Sequence, residues 1–141
     1  MEISEVRRHL SETIERAKRA AADRRSHVDE ASREFVIFLE QVAIPLFRQV
    51  ANVLKVQGYP FEVFTPGGSV RLMSGRNADD FIELTLDTTG TDPLVMGHSC
   101  RGRGRRVLES ERPIAEGPVR HVTEQQVLAY LLKELEPFVE K

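Results

Sequence analysis

The sequence predicts an α+β protein in which a long amino-terminal helix precedes an antiparallel sheet and a closing helix. Residues 2–57 contain no glycine and one proline, and their apolar side chains recur every three or four positions, as on a helix. Residues 60–122 instead alternate apolar and polar side chains between glycine and proline turns, which is typical of antiparallel strands. Residues 123–136 return to the helical spacing. A chain of 141 residues can bury a core of its own, so we expect residues 1–141 to form a single domain.

The first helix has one internal irregularity and a well-marked end. Pro45 lacks a backbone donor and its ring crowds the carbonyl of Gln41, so we expect a kink in the helix there or a break into two helices. Gly58 suits the left-handed conformation of a helix cap, and Pro60 cannot continue the helix. The sequence therefore predicts that the first helical segment ends at Gly58.

About five strands are predicted between residues 60 and 122. Residues 61–65 and 69–74 flank the sequence Pro-Gly-Gly, which favours a hairpin. In residues 81–87 aliphatic side chains alternate with polar ones, so one face of this strand is expected to meet water. Residues 94–100 and 106–110 predict a second hairpin around a loop of arginine and glycine, and residues 119–122 predict a last edge strand.

The closing helix has a recognisable start and an amphipathic pattern. Thr123 and Gln126 have the spacing of a capping box, in which each side chain bonds the backbone amide of the other residue. Pro137 follows the end of the apolar pattern. The stripe that would face the core consists of Val127, Leu128, Leu131, Leu132 and Leu135.

Composition and charge exclude several classes of protein. With 40% hydrophobic and 30% charged residues, the chain has the composition of a globular protein and not of a disordered one. Its formal net charge of -2 gives no general attraction to nucleic acid or anionic lipid, so such binding would need a local basic patch. Residues 35–56 have the length of a membrane span but include Glu40, Pro45 and Arg48, so we interpret them as a buried helix and expect no membrane association.

The cysteine count and the first residues of the chain predict a compartment. Cys100 is the single cysteine and cannot form an intramolecular disulfide. The chain starts without the basic residues and apolar run of a secretion signal. Both features predict a reducing, cytoplasmic location.

The predicted first helix is too long to be covered by its own domain. A helix of about 55 residues extends roughly 80 Å, against an expected radius of gyration of about 14 Å for a domain of this size. We therefore predict a helical arm, residues 1–34, attached to a compact head, residues 35–141. The arm carries an apolar stripe at heptad spacing that would remain in water unless it packed on another helix. This stripe contains Ile3, Leu10, Ile14, Ala17, Ala21 and Val28.

The stripe predicts that the chain is a homo-oligomer, with a dimer favoured. Its alanines permit close helix approach but bury little area, so the contact should be weaker than a leucine zipper. Arg24 lies on the same seam and also weakens the contact. The alternative interpretation is a solvated helix, frayed at its start and without a partner. The sequence leaves open both the number of subunits and the orientation of paired helices.

A second candidate surface is the loop inside the hairpin predicted for residues 94–110. Residues 101–106 contain four arginines and no acid, and arginine offers forked donors to phosphate. The loop has no aromatic side chain that could stack on a base, and its charges could simply keep a sheet edge from aggregating. Binding of nucleic acid or a phospholigand is therefore the alternative to self-association. It would use Arg101, Arg103, Arg105 and Arg106.

No residue pattern predicts catalysis or a cofactor. His98 and Cys100 share one face of a strand with apolar neighbours, so a buried and unreactive thiol is expected. His121 could be added as a third metal ligand, but no paired-ligand spacing is present and we predict no metal. Asp79 and Asp80 are expected to close a turn. The sequence thus predicts a non-enzymatic interaction protein that works without a cofactor.

Overall fold

The structure, a computed structural model, describes residues 1–139 and confirms the α+β architecture. Its helical elements are α1 (Ile3–Phe38), a π-helical turn (Leu39–Ala43), α2 (Ile44–Val56), a 3₁₀ helix (Val119–His121) and α3 (Glu124–Val139). Its strands are β1 (Phe61–Phe64), β2 (Val70–Ser74), β3 (Phe81–Asp87), β4 (Leu94–Arg103) and β5 (Arg106–Pro113). The first three helical elements follow one another without interruption and form one continuous helix, Ile3–Val56.

Pro45 alters this helix without breaking it. The π-helical turn immediately precedes Pro45, and the amide of Ile44 donates to the carbonyl of Leu39, five residues earlier. Pro45 itself lies in the first turn of α2, where its missing amide is tolerated and the wider preceding turn accommodates its ring. The distortion expected near Gln41 is therefore a π-helical turn, and the alternative of two separate helices is wrong.

The end of α2 is closed by a glycine cap, as the sequence predicts. Gly58 has a positive φ of 93°, which glycine adopts without steric cost. The amide of Tyr59 donates to the carbonyl of Leu54 over 2.8 Å, and that of Gly58 donates to the carbonyl of Lys55 over 3.1 Å. These two bonds satisfy carbonyls that the helix end would otherwise leave unpaired, and the chain then turns into β1.

The five strands form one antiparallel sheet in the order β1-β2-β3-β4-β5. The prediction of a further strand at residues 119–122 is wrong, because Val119–His121 form a 3₁₀ helix. The amides of His121 and Val122 donate to the carbonyls of Pro118 and Val119, so no backbone bond to the sheet is needed. Val119 and Val122 are both buried, and a spacing of three residues matches one turn of a 3₁₀ helix, whereas a strand repeats every two.

The core lies between the helices and one face of the sheet. On β3, Ile82 and Leu84 point into the core and are fully buried, whereas Glu83 and Thr85 on the opposite face are only half-buried, as the alternation predicts. The helices contribute large side chains to the same cluster, which includes Phe35, Phe38, Phe47, Val127 and Leu131.

The start of α3 is fixed by the predicted capping box. The amide of Thr123 donates to Gln126 Oε1 over 2.9 Å, and the amide of Gln126 donates to Thr123 Oγ1 over 3.2 Å. The two side chains thus satisfy one another's backbone amides before the apolar stripe begins. This start places Val127, Leu131 and Leu135 of α3 in the core, while Leu132 is exposed.

Candidate interaction surfaces

Residues 1–30 of the arm lie almost entirely in water. Ala21 and Val28 are half-buried and the other residues of this segment are exposed. The first buried residue of the chain is Ala31, where the helix meets the head. Within residues 1–139, no other element covers the first five turns of α1, so their helical structure depends on local propensity and on continuity with the buried part of the helix.

The predicted stripe is on the exposed part of this helix. Ile3, Leu10 and Ile14 expose 77%, 57% and 50% of their surface to water. Val6, which is 42% exposed, widens the stripe at its start. The heptad pattern did not identify Val6 because this residue occupies a flanking position of the seam. These aliphatic side chains form an apolar stripe that no other element of the described residues covers.

The stripe runs directly into the core of the head. Val28 is half-buried beside the β3–β4 loop, residues 88–91, and Ala31, one turn further on, is buried. Phe35 and Phe38 continue the same seam inside the head. The heptad pattern is therefore continuous along the helix, but only its second half is buried within the chain. Its first half is exposed to water.

A cleft of about 480 Å³ lies where the arm enters the head. It is bounded by α1 from His27 to Glu34 on one side and by the segments around Pro93 and Pro118 on the other. Glu34 forms an ion pair with Arg120 across this region, with 3.5 Å between Oε1 and Nη1. The ion pair joins the base of the arm to the 3₁₀ helix beside the buried Ala31, where the arm meets the head.

The outer face of the continuous helix is less covered than the sequence suggested. Residues 35–54 are apolar on almost all sides, which predicts cover by the sheet, by the closing helix and, for part of the surface, by a partner. Val36 and Ile37 are 52% and 53% exposed. Val53 and Val56 are also exposed. One 18-residue window of Ile3–Val56 is apolar enough to cross a membrane by length and composition, and 33% of that window is buried. Core helices of globular proteins meet the same criterion, so this window alone does not indicate a membrane protein.

The arginine loop is the tight end of the β4–β5 hairpin. β4 extends further than predicted, to Arg103, so only Gly104 and Arg105 form the turn, with a φ of 61° at Gly104. Arg103 pairs with Arg106 across the hairpin, and Arg101 lies two residues before Arg103, so these three arginines share one face. Arg103, Arg105 and Arg106 are exposed, and Arg101 is half-buried.

Among the described residues, the hairpin arginines lack ion pairs, as do Arg48 and Arg76, whereas three other arginines of the head form them. Among residues 1–139, none of Arg101, Arg103, Arg105 and Arg106 forms an ion pair with a carboxylate. Next to the turn, the amide of Gly102 donates to Asp80 Oδ1 over 2.8 Å, which attaches this end of the hairpin to the residue before β3. The arginines that form ion pairs elsewhere in the head are Arg71 with Glu83, Arg112 with Glu134 and Arg120 with Glu34.

His98 and Cys100 lie on one face of β4, as predicted, and their environment opposes nucleophilic chemistry. Burial, followed by the carboxylates of Glu109, Asp79 and Asp80, raises the pKa of the Cys100 thiol above its ordinary value. A raised pKa keeps the thiol protonated, whereas a nucleophilic cysteine needs the thiolate. The Nε2 atom of His98 is 3.6 Å from Glu109 Oε1.

The remaining polar residues that the sequence singled out have structural contacts. The amide of Asp79 donates to Asn77 Oδ1 over 3.0 Å, and the amide of Asp80 donates to the carbonyl of Asn77 over 3.0 Å, which closes the predicted turn. His121 is exposed in the 3₁₀ helix. Within the part of the chain that the structure describes, no group of three His, Cys, Asp or Glu side chains is arranged to hold a metal ion.

Comparisons of the chain with protein-family models, with curated proteins and with solved structures found no match. Function must therefore be inferred from the surfaces of the molecule itself. Two of them combine exposure with a chemistry that suits a partner: the apolar stripe of the arm and the arginine face of the β4–β5 hairpin.

Proposed function

We propose that this protein is a non-enzymatic self-association module and that its arm pairs with the arm of a second copy of the chain. The observation that carries the proposal is the exposed stripe on a continuous helix, in which Ile3, Leu10 and Ile14 are at least half exposed. Covering these side chains with a second helix would remove their apolar surface from water, worth about 25 cal/mol for each Å². A long helix without packing is marginal in water, so pairing also stabilises the arm itself.

The charge of the arm supports a second copy as the occupant of the stripe. Residues 1–30 contain seven acidic and seven basic side chains, counted from Glu2 to Glu30, and the signs alternate along the helix. Such a surface has no net field that would select a strongly acidic or basic partner. A helix with the same balanced pattern can approach it without long-range repulsion, and every copy of the chain provides one.

The head supports a non-enzymatic role. Its one thiol, Cys100, is buried and has a raised pKa, and the nearby Asp80 carboxylate accepts the amide of Gly102. These groups serve the packing of the sheet. A head of this kind can hold the base of the arm, which is anchored by the burial of Ala31 and Phe35 and carries the ion pair between Glu34 and Arg120.

The experiment is a measurement of solution mass by light scattering over a range of concentrations. The double variant Leu10→Glu/Ile14→Glu places two carboxylates, four residues apart, on the stripe. Ala22→Glu/Ser26→Glu adds the same charge at the same spacing on the exposed face away from the stripe, and is the matched control. We expect dimers for the natural chain and the control and monomers for the stripe variant. Near-ultraviolet circular dichroism would verify that both variants keep a folded head, because every phenylalanine and tyrosine of the chain lies in the head.

Two results would contradict the proposal. If the natural chain stayed monomeric at high concentration, the stripe would not mediate self-association. A stripe variant that remains dimeric would place the contact elsewhere on the molecule, and the exposed face around Val36 and Ile37 would be the next surface to test.

A second candidate function is binding of a nucleic-acid backbone by the hairpin. The observation that favours it is the common face of Arg101, Arg103 and Arg106, none of which forms an ion pair among the described residues. Guanidinium groups spaced along a hairpin can follow successive phosphates, and each neutralised phosphate releases a counterion. Such binding would be largely independent of sequence, because the turn offers no aromatic side chain for stacking on bases.

This second function is tested by the salt dependence of binding to a fluorescent single-stranded oligonucleotide. Contacts to about three phosphates predict that the logarithm of affinity falls with the logarithm of salt concentration with a slope near -2. Replacing Arg101, Arg103 and Arg106 by serine should abolish binding and, with it, the dependence of affinity on salt. If the natural and substituted chains bound the oligonucleotide equally well, the hairpin would not be the binding surface.

A further inference from the structure

We infer that the two arms pair in antiparallel orientation, with Ile3 of one copy beside Val28 of the other. The inference rests on the proposed self-association and adds the orientation and register of the helices. It follows from the position of the head on the helix, from the length of the exposed stripe and from the sizes of its side chains. The seam involved consists of Ile3, Arg7, Leu10, Ile14, Ala17, Ala21, Arg24 and Val28.

The head opposes a parallel pair that continues along the seam. Beyond Val28 the same seam is buried by the head at Ala31, Phe35 and Phe38. The helix continues without interruption to residue 56, so in a parallel pair the second helix would follow the seam into the volume that the sheet and α3 already fill. The two helices would have to separate at residue 28. The helix of an antiparallel partner ends at this level, so the only part of the head beside it is the β3–β4 loop next to Ala21 and Val28.

The length of the stripe selects the register. The helix starts at Ile3, and Val28, half-buried beside the β3–β4 loop, is the last residue of the seam before the head buries it at Ala31. An antiparallel partner that places Ile3 beside Val28 therefore uses the whole stripe. A shift of one heptad towards the head would bring Ile3 to Phe35, which is only 4% exposed. A shift of one heptad in the other direction would leave Val28 uncovered. In this register the two stripes, each about 40 Å long, overlap over their full length.

The sizes of the side chains agree with this register. Leu10 is placed beside Ala21 of the second copy, and Ile14 beside Ala17, so each of these layers joins one large and one small side chain. In a parallel pair, Ala17 and Ala21 would each face themselves and leave two thin layers next to two thick ones. Layers of even thickness let the helices keep a constant separation and bury the large side chains against backbone and Cβ atoms.

Two layers of the antiparallel pair contain arginine. Arg7 is level with Arg24 of the second copy, so like charges meet at both ends of the seam. Both side chains are exposed and long enough to carry their guanidinium groups into water. Their repulsion makes the dimer weaker than an all-apolar coiled coil, which predicts an association that responds to protein concentration and to salt.

The orientation is tested by disulfide crosslinking between separately prepared full-length chains in a Cys100→Ser background. One chain carries Leu10→Cys and the other Ala21→Cys, and light scattering first establishes that each is dimeric. We expect a mixture of the two to crosslink at least ten times faster than either alone. In the antiparallel register the two Leu10 positions are about 16 Å apart along the axis, beyond the reach of a disulfide.

The outcomes separate the orientation from self-association itself. Fast crosslinking within each single variant would show parallel arms and overturn the inference, while the proposed dimer would stand. Faster crosslinking of Leu10→Cys with Val28→Cys, or with Ile14→Cys, would show a register shifted by one heptad and also overturn it. A dimer that crosslinks in no mixture would place the contact outside the stripe. A natural chain without any dimer would refute the proposed function as well.

Discussion

Val28 and Ala31 lie one helical turn apart on the same seam of α1, yet Ala31 is buried by the head and Val28 is only half-buried. The boundary between the part of the seam that the head buries and the part that it leaves exposed therefore falls between these two residues. If the arms pair as proposed, a polar group on the head side should disturb the fold, and one on the arm side should disturb association.

Glutamate at these two positions should have different effects. Ala31→Glu forces a carboxylate into a site that is 7% exposed and lies close to Glu30 and Glu34, so the free energy of unfolding should fall by about 2–3 kcal/mol. Val28→Glu should change the free energy of unfolding by less than about 1 kcal/mol but raise the dissociation constant of the dimer at least tenfold. Urea unfolding and light scattering measure the two quantities. Loss of stability in Val28→Glu equal to that in Ala31→Glu would contradict the boundary.

Position 97 has room only for glycine, because the ring of Tyr130 packs directly against its backbone. A Cβ atom on Gly97 would overlap the ring carbon that carries the phenol hydroxyl, so Gly97→Ala should lower the free energy of unfolding by about 3 kcal/mol. Gly90 is the control, because its Cβ would meet open space and its φ is not in the left-handed region. Gly90→Ala should leave stability unchanged or raise it slightly. Equal effects of the two substitutions would show that α3 does not pack on β4 in this way.

The hydroxyl of Tyr130 is buried without a hydrogen-bond partner among the described residues. Tyr130→Phe should therefore preserve stability near neutral pH or raise it by about 1 kcal/mol. Burial, and secondarily the Glu134 carboxylate, raises the pKa of Tyr130 above its ordinary 10.0, so the folded state retains a proton that the unfolded state loses. The natural chain should thus lose stability as pH rises above 10, and Tyr130→Phe should lose less, measured by urea unfolding at pH 8 and pH 10.5.

The fold was predictable where local signals agreed with each other. Gly58, the capping box at Thr123 and the alternation of Ile82 and Leu84 each identify one boundary or one face, and the structure confirms all three. The 3₁₀ helix was misread because Val119 and Val122 lie in so short a segment that strand and helix spacings are hard to distinguish. The sequence alone does not determine how the helix accommodates Pro45, because a π-helical turn, a kink and a break can each relieve the clash of the proline ring. Tertiary packing decides between them.

The candidate surfaces were predictable only in part. The stripe could be identified from heptad spacing, but the point where the head covers it depends on the three-dimensional position of the sheet, which places Ala31 inside and Val28 at the edge. The exposure of Val36 and Ile37 was missed for the same reason, because an all-round apolar segment does not reveal which face meets water. The common face of Arg101 and Arg106 requires the register of β4 with β5, and the sequence does not fix that register.

The thiol of Cys100 should react slowly in the folded protein. Burial raises its pKa, and the neighbouring carboxylates of Glu109 and Asp79 act in the same direction, so both access and thiolate population are reduced. Labelling with an aromatic disulfide reagent at pH 8 should be at least 100-fold slower in the native state than in urea. Ser110→Cys in a Cys100→Ser background provides an exposed thiol on the adjacent strand and should react at the rate of a free thiol. Rapid labelling of native Cys100 would contradict its buried position.

Reversal of single charges on the seam should distinguish antiparallel from parallel arms without crosslinking. In the antiparallel register, Arg7→Glu replaces the repulsion between Arg7 and Arg24 of the second copy by an attraction, twice in each dimer. We expect the dimer to tighten by about tenfold, which corresponds to about 1.4 kcal/mol. Arg24→Glu should have the same effect for the same reason. Analytical ultracentrifugation at low and high salt measures the dissociation constants, and the gain should shrink at high salt because ions screen it.

The double variant Arg7→Glu/Arg24→Glu is the matched control for this charge reversal. It places two introduced glutamates side by side in the antiparallel register, so the tightening produced by either single substitution should disappear. In parallel arms each position faces itself, and reversal of one charge exchanges one repulsion for another without any gain. Because Arg7 lies near the positive amino end of the helix, an acid there also stabilises an unpaired arm, whereas an acid at position 24 does not. Tightening by both single variants, lost in the double, therefore requires Arg7 and Arg24 to meet across the interface.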